Sequence, residues 1–343
     1  MAVVYMTKKE CDVATIQAHE WGKKSIISVA QFTEPAINEL FDLTDRLKVM
    51  GRSKLRQWNP LSGYVLSNLF FEASTRSRIS FASAFQYLGG NVDNTVGVVF
   101  SSISKGESLS DTIRVVQGYV DVIVLRHFTV GSARIASDNS AAPVINAGDG
   151  IGEHPTQALL DLYTIYNEKK RLSNLTIAVV GDLQHGRTVH SLVNLMSLYN
   201  QIHIVAIAPD ALQLPQDNVH RLRAAGVRVT QTDNFQEGIA MVDVIYMTRL
   251  QRERFEFESD YERFEQLYVL TKSIIKTVCK PDVVVMHPLP RTGEIHTDVD
   301  DLDQAAYFRQ TSNGLYVRMA LFLLVLLPID ELRNRLNALY YRE

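Results

Sequence analysis

The chain has 343 residues, long enough for two domains of ordinary size, and its 46% apolar and 21% charged residues are a globular balance. Its 38 acidic and 35 basic side chains leave a formal net charge of −3, which argues against a global attraction to nucleic acid or to an anionic membrane. Two cysteines, Cys11 and Cys279, make neither a disulfide framework nor a CxxC metal pattern, and read as free thiols in a reducing compartment.

The opening "MAVVYMTKKECD" has no apolar stretch of signal-peptide length behind a basic start. The longest apolar run, "MALFLLVLL" at residues 319–327, stops at Pro328. That is about half a membrane span, so the expectation is a buried helix in a cytoplasmic protein with no membrane partner. No repeat at solenoid period and no low-complexity tract is present.

In chain order, "SGYVLSNLFFE" (62–72) predicts a strand and "RSRISFASAFQYLGG" (76–90) a helix. In that helix Ile79, Ala82, Phe85 and Leu88 recur at three-residue spacing before Gly89-Gly90. "VDVIVLRH" (120–127) is a nearly unbroken β-branched run, the pattern of a strand covered on both faces, and "PVINAG" (143–148) predicts another. "HPTQALLDLYTIYNEKK" (154–170) predicts a helix with Pro155 in its first turn, where a missing N–H costs little, and it is the expected bridge between domains. "LTIAVVGD", "IHIVAIAP", "VRVTQT", "VDVIYMT" and "DVVVMHPLP" predict further strands with helical segments between them, "RTVHSLVNLMSLY" among these. Such alternation implies α/β architecture: two doubly wound domains, each a mostly parallel sheet flanked by helices and joined by interdomain helices.

Open α/β sheets bind ligands at the carboxyl ends of their strands, which directs attention to the residues just after each predicted strand. After the first, "FFEASTRSR" (70–78) places Ser74, Thr75, Arg76 and Ser77 at a helix start. That segment reads either as a helix cap or as an anion seat built from backbone N–H groups, hydroxyls and an arginine. "SSISKGESLSDT" (101–112) reads as a surface loop or as an arm presenting Lys105, and Arg126 directly follows a buried run. His154 and Gln157 lie one helical turn apart, suited to donating to a carbonyl oxygen and holding an amide. Arg187 follows "IAVVGD" without GxGxxG spacing, so dinucleotide binding is disfavoured. Arg249, Gln251, Arg252 and Arg254 follow "VDVIYMT", and "HPLPR" (287–291) is a turn stiffened by two prolines. There is no GxSxG elbow, Walker loop, HExxH or nucleophilic cysteine setting. Cations and hydroxyls without a nucleophile suit a reaction in which two anionic reactants are held together and developing oxyanion charge is stabilised.

Taken in order, "FFEASTRSR", "SKGES", "LRH", "HPTQ", "GDLQHGRTVHS", "MTRLQRER" and "HPLPR" resemble the aspartate carbamoyltransferase family. The resemblance runs from about Ile26 to about Leu327, and it rests on the ordered set rather than on any single motif. Ornithine carbamoyltransferases share the phosphate motif but carry H-C-L-P and S-M-G patterns. This chain has His287-Pro288-Leu289-Pro290 and an arginine-rich segment instead, which fits a dicarboxylate acceptor.

The resemblance implies a carbamoyl phosphate-binding domain of residues 1–153 with the C-terminal helix 314–343, and an aspartate-binding domain of 154–313. It implies that Ser74, Thr75, Arg76 and Ser77 bind the phosphate, and that Thr75, Arg126 and His154 polarise the carbonyl. Gln157 and the carbonyls of Pro288 and Leu289 would hold the carbamoyl amine. Arg187, Arg249 and Gln251 would take the aspartate carboxylates. Ser101 and Lys105 would come from the neighbouring subunit of a homotrimer with shared sites. No cofactor and no metal is implied, and some family members assemble with zinc-carrying regulatory chains or dihydroorotase-type partners. Ser77 stands where threonine is usual, and Ser104 where some members have a second lysine. Two alternatives remain at this level: a transcarbamoylase for another amino acid, and a non-catalytic paralogue. Of the two arginines in the opening motif, Arg76 is expected to face the ligand and Arg78 to pair with an acid such as Glu72.

Overall fold

The computed structural model describes residues 21–97, 102–250 and 267–340. These divide into two compact units. Residues 21–27, 31–97, 102–149 and 315–340 make the first, and 28–30, 150–250 and 267–314 the second. The first unit thus gives way to the second after Asp149 and regains the chain at Leu315.

In the first unit, β1 (Val65–Phe70), β2 (Asn91–Val96), β3 (Val122–His127) and β4 (Val144–Asp149) form a sheet ordered β2-β1-β3-β4, all pairs parallel. The register sets Leu66 beside Val122 and Phe70 beside Arg126. β3 and β4 are buried at every position, as their apolar runs predict. β2, by contrast, is "NVDNTV", an edge strand whose side chains are mostly exposed. Its composition hides it from sequence reading. Backbone pairing to β1 makes it a strand, helped by an Asn68 Nδ2 hydrogen bond to Asn94 Oδ1 at 3.1 Å.

The chain leaves β1 by α2 (Thr75–Tyr87) to reach β2 on one side, then returns by α3 (Leu109–Val116) to β3 on the other, and α4 (Ser132–Asp138) leads to β4. That reversal makes the β1 and β3 ends the topological switch point. α1 (Glu34–Trp58) precedes them, N-capped by Thr33 and broken at Gly51, whose φ of 71° and ψ of 162° are not helical. The core of this unit takes Leu69, Ile113, Ile123, Leu125 and Val144. α2 presses Phe81 and Phe85 edge-on against Phe322, all three fully buried.

In the second unit, β5 (Leu175–Val180), β6 (Ile202–Ile207), β7 (Arg228–Thr232), β8 (Val244–Met247) and β9 (Val284–Met286) form a parallel sheet ordered β7-β6-β5-β8-β9. Here the chain winds outward through β6 and β7, then returns to β8, so the switch point lies at the ends of β5 and β8. Gly181, just past β5, has φ +114°, and a Cβ there would collide with the Thr248 carbonyl just past β8. Glycine therefore lets the two loops of the switch point touch. α5 (Pro155–Lys169) and α6 (Arg187–Met196) pack beside the sheet, and α7 (Gln216–Ala224), α8 (Phe235–Ile239) and α9 (Lys272–Val278) complete the crossovers.

The apolar run 319–327 lies at the end of α10 (Tyr307–Leu326), with residues 319–323 fully buried, and α11 (Ile329–Tyr340) follows Pro328. Among the described residues no helix is long and apolar enough to cross a membrane. Cys279 is half-buried, and burial pushes its thiol up to about 11, which leaves it a poor nucleophile. Cys11 lies outside the described residues.

Candidate active site

The switch points gather part of what the sequence nominates: residues 74–77 and Arg126 in the first unit, Arg187 and Arg249 in the second, whereas Lys105 follows edge strand β2, His154 and Gln157 lie at the start of α5, and residues 287–290 follow β9. In the first unit, Ser74 takes the N-cap position of α2 with extended backbone (φ −160°), yet its side chain makes no capping hydrogen bond. The cap reading of the motif therefore accounts for its position and not for its hydroxyl. Thr75 and Arg76 are exposed on the first turn, and Ser74 and Ser77 are half-buried. A helix start with hydroxyls, backbone N–H groups and a guanidinium is suited to a dianionic phosphate.

Arg126, nine-tenths buried at the end of β3, has its guanidinium held from two directions. Nη2 donates to Glu72 Oε1 at 2.7 Å and Nη1 donates to the Ala147 carbonyl at 3.1 Å. The backbone repeats the link, with Phe71 N donating to the Arg126 carbonyl at 2.8 Å. Glu72 thus serves Arg126, and the expected Arg78–Glu72 pair is not formed. Sequence spacing favours the near neighbour Arg78, whereas parallel register brings Phe70 beside Arg126 and puts the distant residue closer. His127 turns the other way. Its Nδ1 accepts from Thr129 N at 3.0 Å, its ring stacks on Phe128, and burial lowers its pKa against the pull of Glu72 and Asp149, so it stays neutral. Lys105 is exposed at the end of the 3₁₀ turn Ser102–Lys105, beside Gly106 at φ +92°. Ser101 lies outside the described residues.

In the second unit, His154 stands at the N-cap of α5, buried, with its backbone N–H donating to Ser191 Oγ at 3.2 Å. Its neighbour Glu153 accepts from Ser28 Oγ at 2.6 Å and from Val29 N at 2.7 Å, which anchors the entry to the helix. One turn on, Gln157 Nε2 donates to Asp161 Oδ1 at 2.8 Å. Arg187 opens α6 at the β5 end and donates to the Gly150 carbonyl. Arg249 follows β8, half-buried, with Nη1 donating to the Leu250 carbonyl at 3.1 Å. The second switch point therefore carries two arginines. Gln251, Arg252 and Arg254 lie outside the described residues.

Pro288 and Leu289 form the turn after β9, with Leu289 at φ +56° and a cis Leu289–Pro290 bond. His287 pins this turn: its Nδ1 accepts from Leu289 N at 2.7 Å and its Nε2 lies 2.6 Å from Glu294 Oε1. Burial alone would raise the Glu294 pKa, but the hydrogen bond from His287, with the backbone N–H groups of Gly293 and Glu294, holds it at about 2. Sequence reading passes over Glu294. Its only local signal is an acid seven residues beyond a histidine in a turn.

A carboxyl group held below its ordinary 4.5 stabilises the fold above that pH and loses its contribution as pH falls toward the folded value near 2. Glu294→Gln is expected to flatten the pH dependence of unfolding free energy between pH 4.5 and 2, by on the order of 3 kcal/mol. Urea unfolding at stepped pH reads this directly, and an unchanged slope would contradict it.

Residues 24–167 match the family model "Aspartate/ornithine carbamoyltransferase, carbamoyl-P binding domain", and residues 173–325 match "Aspartate/ornithine carbamoyltransferase, Asp/Orn binding domain". The chain is 47% identical over 310 residues to an aspartate carbamoyltransferase catalytic subunit of Dichelobacter nodosus, covering 88% of this chain and 89% of that one. It is 45% identical over 308 residues to the corresponding subunit of Leptospira biflexa, covering 90% and 98%. Among solved structures, aspartate transcarbamoylase of Trypanosoma cruzi in complex with carbamoyl phosphate and aspartate superposes with a TM-score of 0.82 at 40% identity, covering 90% of this chain and 98% of that one.

Proposed function

The chain belongs to the aspartate/ornithine carbamoyltransferase family, and on that footing we propose that it transfers the carbamoyl group of carbamoyl phosphate to the amine of L-aspartate. The products are N-carbamoyl-L-aspartate and phosphate, a step of pyrimidine biosynthesis. The observation that carries the choice of acceptor is the pair of arginines, Arg187 and Arg249, at the switch point of the second sheet, in a chain whose turn after β9 reads His287-Pro288-Leu289-Pro290. Two guanidiniums match a dicarboxylate, because each can grip one carboxylate through two N–H bonds.

Ser74, Thr75, Arg76 and Ser77 take the phosphate. Arg126 spans phosphate and carbonyl, and together with Thr75 and His154 it withdraws electron density from the carbonyl oxygen. Gln157 Oε1 and the carbonyls of Pro288 and Leu289 accept from the carbamoyl NH₂. Arg187, Arg249 and Gln251 hold the aspartate. The uncharged aspartate amine attacks the carbamoyl carbon, and the carbonyl electrons move onto oxygen beside the Arg126 guanidinium. The tetrahedral intermediate collapses with cleavage of the bond to the phosphate oxygen. Phosphate leaves with the proton from the attacking nitrogen. No group on the protein becomes covalently modified, so the residues act by positioning and by stabilising charge.

The working assembly is a cytoplasmic homotrimer in which Ser101 and Lys105 serve the neighbouring subunit's site, and regulatory or dihydroorotase-type chains are its candidate partners. Consistent with this, the first unit exposes large apolar side chains such as Tyr119, Phe128 and Val130, and Lys105 is exposed on the same unit.

Steady-state assay of carbamoyl phosphate against a panel of amine acceptors tests the reaction, and native mass measurement tests the trimer. Fastest turnover on an acceptor other than aspartate overturns the substrate, and no turnover on any of them overturns the reaction. Mixing Lys105→Ala chains with Arg76→Ala chains is expected to regenerate a fraction of intact sites, and no recovery after confirmed subunit exchange overturns the shared site.

A further inference from the structure

Asp161 is fully buried in the second unit and accepts hydrogen bonds on both of its oxygens. Gln157 Nε2 at 2.8 Å and Gln310 Nε2 at 2.6 Å both reach Oδ1, and Tyr246 Oη reaches Oδ2 at 2.7 Å. A carboxylate only accepts, so it compels both amides to turn their NH₂ ends inward and their oxygens away. The Gln310 oxygen then accepts from His287 N at 3.0 Å. Tyr246 remains a donor, because burial and the neighbouring Asp161 hold its phenol far above the ordinary value.

The same polarity continues into the turn at 287–290. Pro288 and Pro290 have no N–H. The two N–H groups that remain are both committed, His287 N to Gln310 and Leu289 N to His287 Nδ1. The turn is thereby left with carbonyls alone to offer a ligand. Gln157, turned by Asp161, offers an oxygen as well.

We propose that Asp161 is a positioning residue that imposes an acceptor-only lining around the NH₂ of the carbamoyl group, so that the enzyme selects an NH₂-bearing acyl phosphate over one bearing a methyl group. This rests on the proposed carbamoyl transfer and assigns the basis of its selectivity. An NH₂ supplies donors to every acceptor in the lining. A methyl group leaves those acceptors desolvated and unpaired, which is a strong ground for rejection.

The test compares KM for carbamoyl phosphate with the inhibition constant of acetyl phosphate on the full-length enzyme. Asp161→Asn alone is expected to hold the ratio of the two constants within about threefold, because the new NH₂ can face Tyr246 Oη and leave an oxygen for Gln157. Tyr246→Phe alone keeps the carboxylate and behaves likewise. Combined, they leave the asparagine NH₂ no acceptor at position 246, so it turns on the two glutamines and reverses them. Discrimination for carbamoyl phosphate then falls about tenfold. Asp161→Leu, which removes the acceptor outright, gives the same fall.

Circular dichroism and Tm establish that each variant is folded. A ratio unchanged from wild type in either the folded double variant or folded Asp161→Leu overturns the inference, since a purely structural role shifts both constants together. Wild-type enzyme that fails to carbamoylate aspartate sinks the proposed function, whereas wild-type transfer with an unchanged ratio in the variants sinks this inference alone.

Discussion

Arg126→Leu is expected to lower kcat by about 10³-fold, with the protein still folded. The guanidinium is the buried cation of the first switch point, and its two recorded bonds, to Glu72 and to the Ala147 carbonyl, fix its plane before any ligand arrives. A donor held in place at the oxygen where charge develops contributes about 10² to 10³ in rate, because no reorganisation is needed during the reaction. Arg126→Lys should recover little, since an ammonium on a flexible stem cannot bond Glu72, the carbonyl and a phosphate oxygen in one plane.

The competing account is that the loss comes from Glu72, whose side chain is about a quarter exposed and would lose the guanidinium that balances its charge. The double variant Arg126→Leu with Glu72→Gln separates the two. If Arg126 acts on the substrate, neutralising Glu72 restores Tm without restoring kcat. Recovery of kcat in the double variant would show that the arginine's contribution is structural.

The second large effect is on stability. Phe322→Ala is expected to cost about 3–5 kcal/mol and to lower the Tm of the first unit by about 10 °C. The ring is fully buried, with centroids 4.9 Å from Phe85 and 6.0 Å from Phe81, both edge-on. Truncation removes both aromatic contacts and leaves a cavity that α2 cannot fill, because α2 is also tied down by Arg318, whose Nη1 donates to Ser80 Oγ at 2.7 Å. Since α2 begins at the proposed phosphate seat, KM for carbamoyl phosphate should rise along with the fall in Tm. Phe322→Leu, which retains most of the volume, should cost less than half as much. Differential scanning calorimetry decides this, and a Phe322→Ala shift below about 3 °C would mean the site repacks, contrary to the argument.

Features that depend on neighbours along the chain are legible in the residues alone. Unbroken apolar runs such as 122–125 read as covered strands, and they are strands. The residues that follow such runs read as ligand-facing, and Arg126, Arg187 and Arg249 do stand at the two switch points. The reason is that strand period and strand-end chemistry are written in consecutive residues. The polar edge strand β2 carries no such pattern, because its strand character comes from backbone pairing with β1 rather than from side-chain burial.

Which partner each buried polar group takes is set by the fold in three dimensions. Glu72 meets Arg126 across 54 residues, and Asp161 meets Tyr246 across 85 and Gln310 across 149. Of the Asp161 partners, Gln157 alone lies close along the chain, at i,i+4 spacing on one helix, and even that pair is not singled out by the sequence pattern. A buried carboxylate has to find donors wherever the fold brings them, and sheet register and helix packing set that proximity, which no local spacing encodes.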